Sequence, residues 1–167
     1  MAENLKELLE KYSHPGKLDF IGIRTVKRSP LEMQDEAVIT VENGIEGDHY
    51  RGKSRERQVT LIQAEHLATV ANILQKPIDP SMTRRNLVIS GINILSLQNG
   101  QFSIGDEVIL ETTGLCHPCS RMEENLGTGG YNAMRGHGGI TARVVKGGVI
   151  RKGDLVKYLR RSSEDGA

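Results

Sequence analysis

The chain has 167 residues, of which 37% are hydrophobic and 26% charged, a size and balance expected of one domain with a real hydrophobic core. Its 22 basic and 21 acidic residues nearly cancel and only 4% are aromatic, which excludes disorder and argues against binding nucleic acid through net charge or base stacking. No apolar stretch approaches the length of a membrane span and the first residues lack a secretory signal, so we expect a cytoplasmic protein without a membrane partner.

Residues 1–16 predict a short amphipathic helix, because Leu5, Leu8, Leu9 and Tyr12 recur at helical spacing before a Pro-Gly pair ends the pattern. Residues 17–160 predict a single domain made mainly of short strands, and residues 161–167 a disordered tail. The predicted strands are Leu18–Val26, Glu36–Val41, Arg57–Ile62, Leu87–Ile89, Glu107–Thr112, Ala142–Val145 and Asp154–Leu159. Gln63–Leu74 is the one clear interior helix, and the overall spacing favours a mainly antiparallel barrel.

Three glycine-containing segments lie between these predicted strands. Asn43–Gly52 is polar and glycine-rich, and is therefore a candidate functional loop. Gly105-Asp106 and Gly153-Asp154 each precede a strand, and a tight turn explains them better than a catalytic aspartate does.

The strongest chemical signal is a pair of cysteines, Cys116 and Cys119, separated by His117 and Pro118. Two cysteines so close together do not make a disulfide scaffold, so reduced thiols are expected. Cys119 precedes Arg121 and a predicted helix start, a cationic setting that suits a reactive thiolate. Such a sulfur can act as a nucleophile, a persulfide carrier or a soft metal ligand.

Other interpretations of the pair are weaker. A structural zinc site needs four ligands, and only His117 and His137 are available to complete one. A zinc deaminase needs His-x-Glu before Pro-Cys-x-x-Cys, and that pattern is absent. The residues next to the cysteines fit a dithiol redox pair, but the surrounding sequence lacks the βαβ pattern of such proteins. The remaining alternative is that the cysteines are buried and chemically inert.

Two further segments carry groups that bind anions. Arg84, Arg85 and Asn86 lead into a strand, and residues 135–143 form a basic loop dense in glycine. Guanidinium groups and exposed amides could hold a phosphate, although each segment alone is more often a solvated surface.

Taken in order, these motifs resemble the MOSC family, the domain type found at the C-terminus of molybdenum cofactor sulfurases, and especially its stand-alone bacterial members. The resemblance runs from about residue 21 to residue 159. The motifs that carry it are Gly44–His49, Arg57–Ile62, Arg84–Ile89, Ile104–Asp106, Pro118–Cys119, Arg135–Gly139 and Gly153–Asp154.

The resemblance implies a mainly β fold, a MOSC barrel similar to the pyruvate-kinase barrel, with a few peripheral helices. It implies that Cys119 bears sulfur or ligates molybdenum, with the molybdenum cofactor (molybdopterin) as the small-molecule partner. The residues implied for cofactor binding are Asp48, His49, Arg57, Arg84, Arg85, Asn86, Arg121, His137 and Gly138. Some stand-alone relatives look linked to reduction and detoxification of N-hydroxylated compounds, which would need an electron-donor or cofactor-handling protein.

This sequence departs from the family pattern in two respects. Cys116 is an additional thiol, and the pyridoxal-phosphate domain of full-length sulfurases is absent, so no pyridoxal phosphate is expected in this chain. Three hypotheses therefore stay open at this point. They are a cofactor-binding domain using Cys119, a non-enzymatic carrier of sulfur or cofactor, and a Cys-x-x-Cys zinc or redox module.

Overall fold

The computed structural model describes residues 3–50 and 54–162. The helices of this part are α1 (Leu5–Leu8), α2 (Ala64–Leu74), α3 (Ser120–Leu126) and α4 (Gly130–Met134), with 3₁₀ turns at Arg55–Arg57, Pro80–Thr83 and Ile94–Leu97. The strands are β1 (Gly16–Ile23), β2 (Glu32–Gln34), β3 (Glu36–Thr40), β4 (Gly44–Ile45), β5 (Val59–Gln63), β6 (Leu87–Ser90), β7 (Gly100–Ile104), β8 (Val108–Leu115), β9 (Ile140–Lys146), β10 (Gly148–Arg151) and β11 (Leu155–Arg161). None of the helices in the described ranges is long and apolar enough to cross a membrane.

Seven strands close into a barrel in the order β11-β7-β8-β9-β5-β6-β1, and pairing of β1 with β11 completes the ring. Every neighbouring pair is antiparallel except β5 and β6, which are parallel because α2 crosses over between them. The short strand β2 adds to the outer side of β1, while β10, β3 and β4 form a separate small sheet. The prediction of a mainly antiparallel barrel is confirmed.

Alternation along the strands divides the buried side chains into two clusters. Leu61, Leu87 and Ile89 belong to the larger cluster, which also holds inward-facing residues of β7, β8, β9 and β11. Ile62 and Val88 belong to the second cluster, which packs α2, α3 and α4 against this side of the barrel. Successive residues of a strand face opposite sides, so one pair of strands supports both the barrel interior and the helical layer.

Sequence patterning misses or misplaces several elements. The strands β2, β4, β7 and β10 were not predicted, although β7 contributes the fully buried Phe102 and Ile104 to the core. The first helix ends at Leu8 and buries none of its residues. Arg57 lies in a 3₁₀ turn rather than in a strand.

The C-terminal strand is longer than predicted. Arg161, assigned to the disordered tail, instead belongs to β11 and pairs with Gly100. Residues 163–167 of the predicted tail lie outside the described residues.

The two Gly-Asp segments are turns, as predicted. Gly105 and Gly153 both adopt positive φ angles, a conformation that glycine reaches without steric cost. The Asp154 carboxylate accepts a hydrogen bond from the Arg151 amide at 2.8 Å. Its contacts are those of a turn residue.

Candidate functional site

Cys119 lies at the surface on a well-anchored helix. It is the N-cap residue of α3, its backbone is extended and its side chain is exposed. Two turns of α3 bury Met122 and Leu126 completely against the helical layer. The sulfur is therefore accessible from solvent while the backbone beneath it is fixed by core packing.

Cys116 has the opposite environment. It is 2% exposed, and its amide donates to the Gly139 carbonyl at 2.8 Å. Its Sγ accepts a hydrogen bond from Nη2 of Arg57 at 3.9 Å. Both cysteines are free thiols, but only Cys119 is open to a large reagent.

Arg85 joins three segments that are far apart in the sequence. Its Nη1 donates to the Thr83 carbonyl at 3.0 Å and its Nε to the Gly138 carbonyl at 2.8 Å. Its Nη2 donates to the carbonyls of Cys116 and His117 at 3.3 and 3.4 Å. The guanidinium thus holds the cysteine segment and the glycine loop together.

The charge of Arg85 lacks an acidic partner within the described ranges. The side chain is only 5% exposed, and burial lowers its pKa, an effect that nearby Cys116 and Cys119 oppose. Among the described residues, the groups that favour the charged form of this guanidinium are therefore the two cysteines.

Close backbone approach explains the glycines of the basic loop. A Cβ on Gly138 would lie 2.0 Å from the Cys116 carbonyl oxygen, far inside van der Waals contact. A Cβ on Gly139 would lie 1.9 Å from the Leu61 carbonyl oxygen, and its φ of +89° also favours glycine. Gly138 is thus required for the packing that places the cysteine segment.

Beside α3 lies a pocket of about 190 Å³, which we call the arginine cleft. It is lined by Arg28, Ser29, Pro30, Ser81, Met82, Arg84, Arg121 and Asn125. Arg28 and Arg84 adopt left-handed backbone conformations, with φ of 69° and 61°, that are uncommon away from glycine and cluster at functional sites. Arg121 follows Cys119 by two residues, so α3 carries both the exposed sulfur and one wall of the cleft.

A fourth arginine adjoins this cluster. The Nε and Nη1 atoms of Arg24 are buried and have no hydrogen-bond partner. Burial lowers the pKa of Arg24, and so do Arg84 and Arg121, while Asp48 opposes them. This is a surplus of cationic donors, because one carboxylate faces three guanidinium groups. Sequence analysis missed Arg24 and Arg28, whose only local signal is a basic residue after an apolar strand.

Asp48 and Asn86 lie beneath this surface and bind backbone. Asp48 is 4% exposed and accepts the amides of Arg24 and Tyr50 at 2.9 and 3.2 Å. Asn86 donates to the Gly22 carbonyl at 3.1 Å and to Asp48 at 3.4 Å. Both side chains therefore fix the ends of strands that carry the arginines. His49 is exposed, and its amide donates to the Arg24 carbonyl at 2.5 Å.

His137 pairs with a second histidine that sequence analysis missed. Its Nδ1 lies 3.0 Å from the Ala133 carbonyl, and its ring meets that of His66 edge-on with centroids 5.2 Å apart. The Nδ1 of His66 is buried without a partner. Burial lowers the pKa of His66, as does His137, against the opposing effect of Glu65. His66 lies within the predicted helix Gln63–Leu74, where a lone histidine gives no sequence signal of a role.

Across residues 3–50 and 54–162, no three histidine, cysteine or acidic side chains gather closely enough to hold a metal ion. The arrangement that does exist is an exposed thiol at the start of the helix that forms one wall of an arginine-rich cleft. Such a site can bind an anionic molecule and present a sulfur to it.

Comparison with known proteins agrees with this architecture. The family model described as the MOSC domain matches residues 45–157, more than half of the chain. No curated protein matches by sequence.

Several solved structures share the fold, among them the following three. The YuaD protein from Bacillus subtilis superposes with a TM-score of 0.75 at 20% identity, covering 86% of this chain and 94% of its own. YiiM from Geobacillus stearothermophilus gives 0.70 at 14% identity (87% and 76% covered), and YiiM from Escherichia coli 0.68 at 18% (90% and 72% covered). The family match and the shared barrel confirm the predicted resemblance: the chain belongs to the MOSC domain family.

Proposed function

We propose that this chain binds the molybdenum cofactor, with the anionic phosphate end in the arginine cleft and Cys119 facing the metal end. In this proposal Cys119 is either the carrier of a transferable sulfur or a ligand of molybdenum. A thiolate suits both roles because it is soft and nucleophilic.

The observation that carries the proposal is that Nε and Nη1 of Arg24 are buried without a hydrogen-bond partner. Buried polar atoms are nearly always hydrogen-bonded, so two buried N–H groups without an acceptor indicate that an acceptor belongs nearby. Arg84 and Arg121 crowd the same region with like charge, which lowers the pKa of Arg24 further. A phosphate would satisfy the free donors and neutralise the repulsion at once.

The cleft and the sulfur share one rigid support. Arg121 and Cys119 lie at the same end of α3, and Arg84 precedes Arg85, whose hydrogen bonds reach the cysteine segment. An anion held by Arg84 and Arg121 would therefore be placed relative to Cys119 by packed backbone rather than by a mobile loop.

The residues that would hold the cofactor are Arg84, Arg121 and Arg28 in the cleft, with Arg24 adjoining them. Ser29, Ser81 and Asn125 are hydrogen-bonding neighbours. When bound, molybdenum supplies two-electron redox chemistry and transfer of an oxygen or sulfur atom. The protein's own contribution is to neutralise the phosphate, to orient the pterin and to keep one accessible sulfur on the helix that walls the cleft.

Expression in cells that synthesise the cofactor tests the proposal, with bound pterin measured by fluorescence after oxidation and molybdenum by mass spectrometry. The wild-type chain is expected to retain both in equal amounts. Arg84→Gln and Arg121→Gln should each weaken retention by about tenfold or more, since a hydrogen bond to a charged group contributes about 1.5–3 kcal/mol. Cys119→Ser should keep the pterin but lose cyanide-labile sulfur or change the molybdenum absorption spectrum.

Arg151→Gln provides the matched control. Arg151 is an exposed arginine on β10, paired with the exposed Glu36 at 3.4 Å, and its loss removes the same charge without touching the cleft. This variant should retain cofactor like the wild type. Absence of pterin from the wild-type chain, or stoichiometric zinc in its place, would refute the proposal.

A cofactor-loaded chain also separates an enzyme from a carrier. Reduction of hydroxylamine-type compounds by a chemical electron donor, lost in Cys119→Ser, would assign catalysis to this chain. Transfer of labelled sulfur to a separate acceptor protein without turnover would assign it a carrier role. The partner in the first case is an electron-donor protein and in the second a cofactor-handling protein.

A further inference from the structure

Cys116 is the nucleophilic group that the proposed function does not use. Its Sγ is buried yet lies against a guanidinium nitrogen of the exposed Arg57, at 3.9 Å. An inert structural cysteine is normally surrounded by apolar side chains, whereas the Cys116 sulfur makes a polar contact with a cationic side chain.

Both sulfurs also interact electrostatically with one buried cation, the guanidinium of Arg85. Cys116 and Cys119 each oppose the lowering of the pKa of Arg85, so both lie within electrostatic reach of that guanidinium. The carbonyls of Cys116 and His117 accept hydrogen bonds from the same side chain. The two thiols are therefore held on one small segment around a common positive charge.

The segment between the sulfurs is short and irregular. Residues 116–119 belong to no helix or strand, and β8 ends before them while α3 begins after them. A Cys-x-x-Cys bond would close within this segment, between the end of β8 and the start of α3.

The two thiols differ in their exposure to solvent, as a redox site with one attacking and one resolving cysteine requires. The exposed Cys119 meets an oxidant first, and Cys116, covered by Arg57, is shielded from it. Reactive, accessible thiolates pass through a sulfenic acid that a neighbouring thiol can trap as a disulfide before irreversible oxidation.

We propose that Cys116 is the resolving thiol of Cys119, and that the pair reduces hydroperoxides through an intramolecular disulfide. The Cys119 thiolate attacks one oxygen of the hydroperoxide, the O–O bond breaks, and the alkoxide leaves and is protonated to the alcohol. The Cys116 thiolate then attacks the sulfenic sulfur, an S–S bond replaces the S–O bond, and hydroxide leaves as water after protonation. Two thiols are oxidised by two electrons, and an external dithiol returns them to the reduced state.

This proposal does not depend on the cofactor, so its failure and that of the proposed function are distinguishable. The purified chain is treated with stoichiometric hydrogen peroxide, quenched by alkylation and digested with trypsin. Because no lysine or arginine lies between Arg85 and Arg121, one peptide, residues 86–121, contains both cysteines. The reduced peptide gains two alkyl groups in the quench. A disulfide peptide gains none and is two hydrogen atoms lighter than the unmodified peptide, whereas a sulfinic acid adds two oxygen atoms and leaves one thiol to be alkylated.

The wild type is expected to lose both thiols together, give the lighter peptide and recover both thiols with dithiothreitol. Cys116→Ser should accumulate sulfenic and then sulfinic acid at Cys119, and Cys119→Ser should keep Cys116 reduced. Arg57→Gln should slow disulfide formation, while Arg55→Gln, on the same 3₁₀ turn but bonded to the Val144 carbonyl, should close like the wild type.

Accumulation of sulfinic acid in the wild type at the rate seen for Cys116→Ser would overturn the proposal. So would a disulfide found only between chains, seen as a dimer on a non-reducing gel. Identical closure rates in the wild type and Arg57→Gln would also count against the proposal, because the contact between Arg57 and Cys116 is its geometric premise.

Discussion

The substitution Gly138→Ala tests whether close backbone approach places the cysteine segment. The φ of Gly138 is not in the left-handed region, so alanine can adopt its backbone conformation and only the added methyl group matters. That group would lie 2.0 Å from the Cys116 carbonyl oxygen, where ordinary contact begins at 3.4 Å. The two backbones must therefore separate by about 1.4 Å.

This separation has two energetic consequences. Overpacking of a well-packed interior costs about 1–3 kcal/mol. The displaced carbonyls of Gly138 and Cys116 also accept hydrogen bonds from the buried Arg85, and such charged hydrogen bonds contribute about 1.5–3 kcal/mol each. If one of them is lost, Gly138→Ala should destabilise the fold by about 2.5–6 kcal/mol, a large part of the roughly 5–15 kcal/mol typical of a domain.

Two measurements report the effect. Urea unfolding gives the change in the free energy of unfolding, and the rate of Cys116 alkylation reports opening of the segment. Gly114→Ala is the matched control, because Gly114 also has no positive φ and its Cβ would meet Thr141 at an ordinary 3.8 Å. That variant should stay within about 1 kcal/mol of the wild type and leave Cys116 protected.

Equal stability of Gly138→Ala and Gly114→Ala, with Cys116 protected in both, would refute the reasoning. It would mean that the glycine loop can move away from the cysteine segment without disturbing Arg85 or the sulfur beneath it.

Three further outcomes are expected. Arg85→Lys should lower the free energy of unfolding by about 2–4 kcal/mol and speed alkylation of Cys116, because an ammonium group cannot reproduce the planar set of hydrogen bonds. Urea unfolding and the rate of thiol alkylation would check this. Because burial and His137 lower the pKa of His66 despite Glu65, the unfolded chain binds a proton first as pH falls below about 6.5. The wild type should therefore lose stability on acidification more steeply than His66→Gln, and parallel pH profiles would contradict the assignment. Inorganic phosphate should raise the melting temperature of the wild type more than that of Arg84→Gln, measured by calorimetry at constant ionic strength, since the cleft arginines bind it only in the folded state.

Local sequence patterns determined much of the barrel. Runs of β-branched residues predicted β5, β6, β8 and β9, and helical spacing predicted α2. Both patterns arise because the buried faces of strands and helices require apolar residues at regular intervals along the chain. Strands such as β7 escaped prediction because Gly100–Ile104 contains only two large apolar residues among small and polar ones. Its assignment depends on pairing with β8 and β11 rather than on its own composition.

The sequence by itself also singled out Cys119 and its helix start, since reactive residue types and turn chemistry are local features. Tertiary structure decided what surrounds that sulfur. Adjacent residues Arg84 and Arg85 have different environments, because the left-handed backbone at Arg84 leaves one side chain in the cleft and the other inside the protein.

Barrel closure likewise brought Arg24 towards Arg84 and Arg121, and Arg57 to Cys116, across separations of roughly sixty to a hundred residues in sequence. No local pattern encodes those distances. The register of the paired strands sets them, because each strand fixes where the loops at its ends must meet.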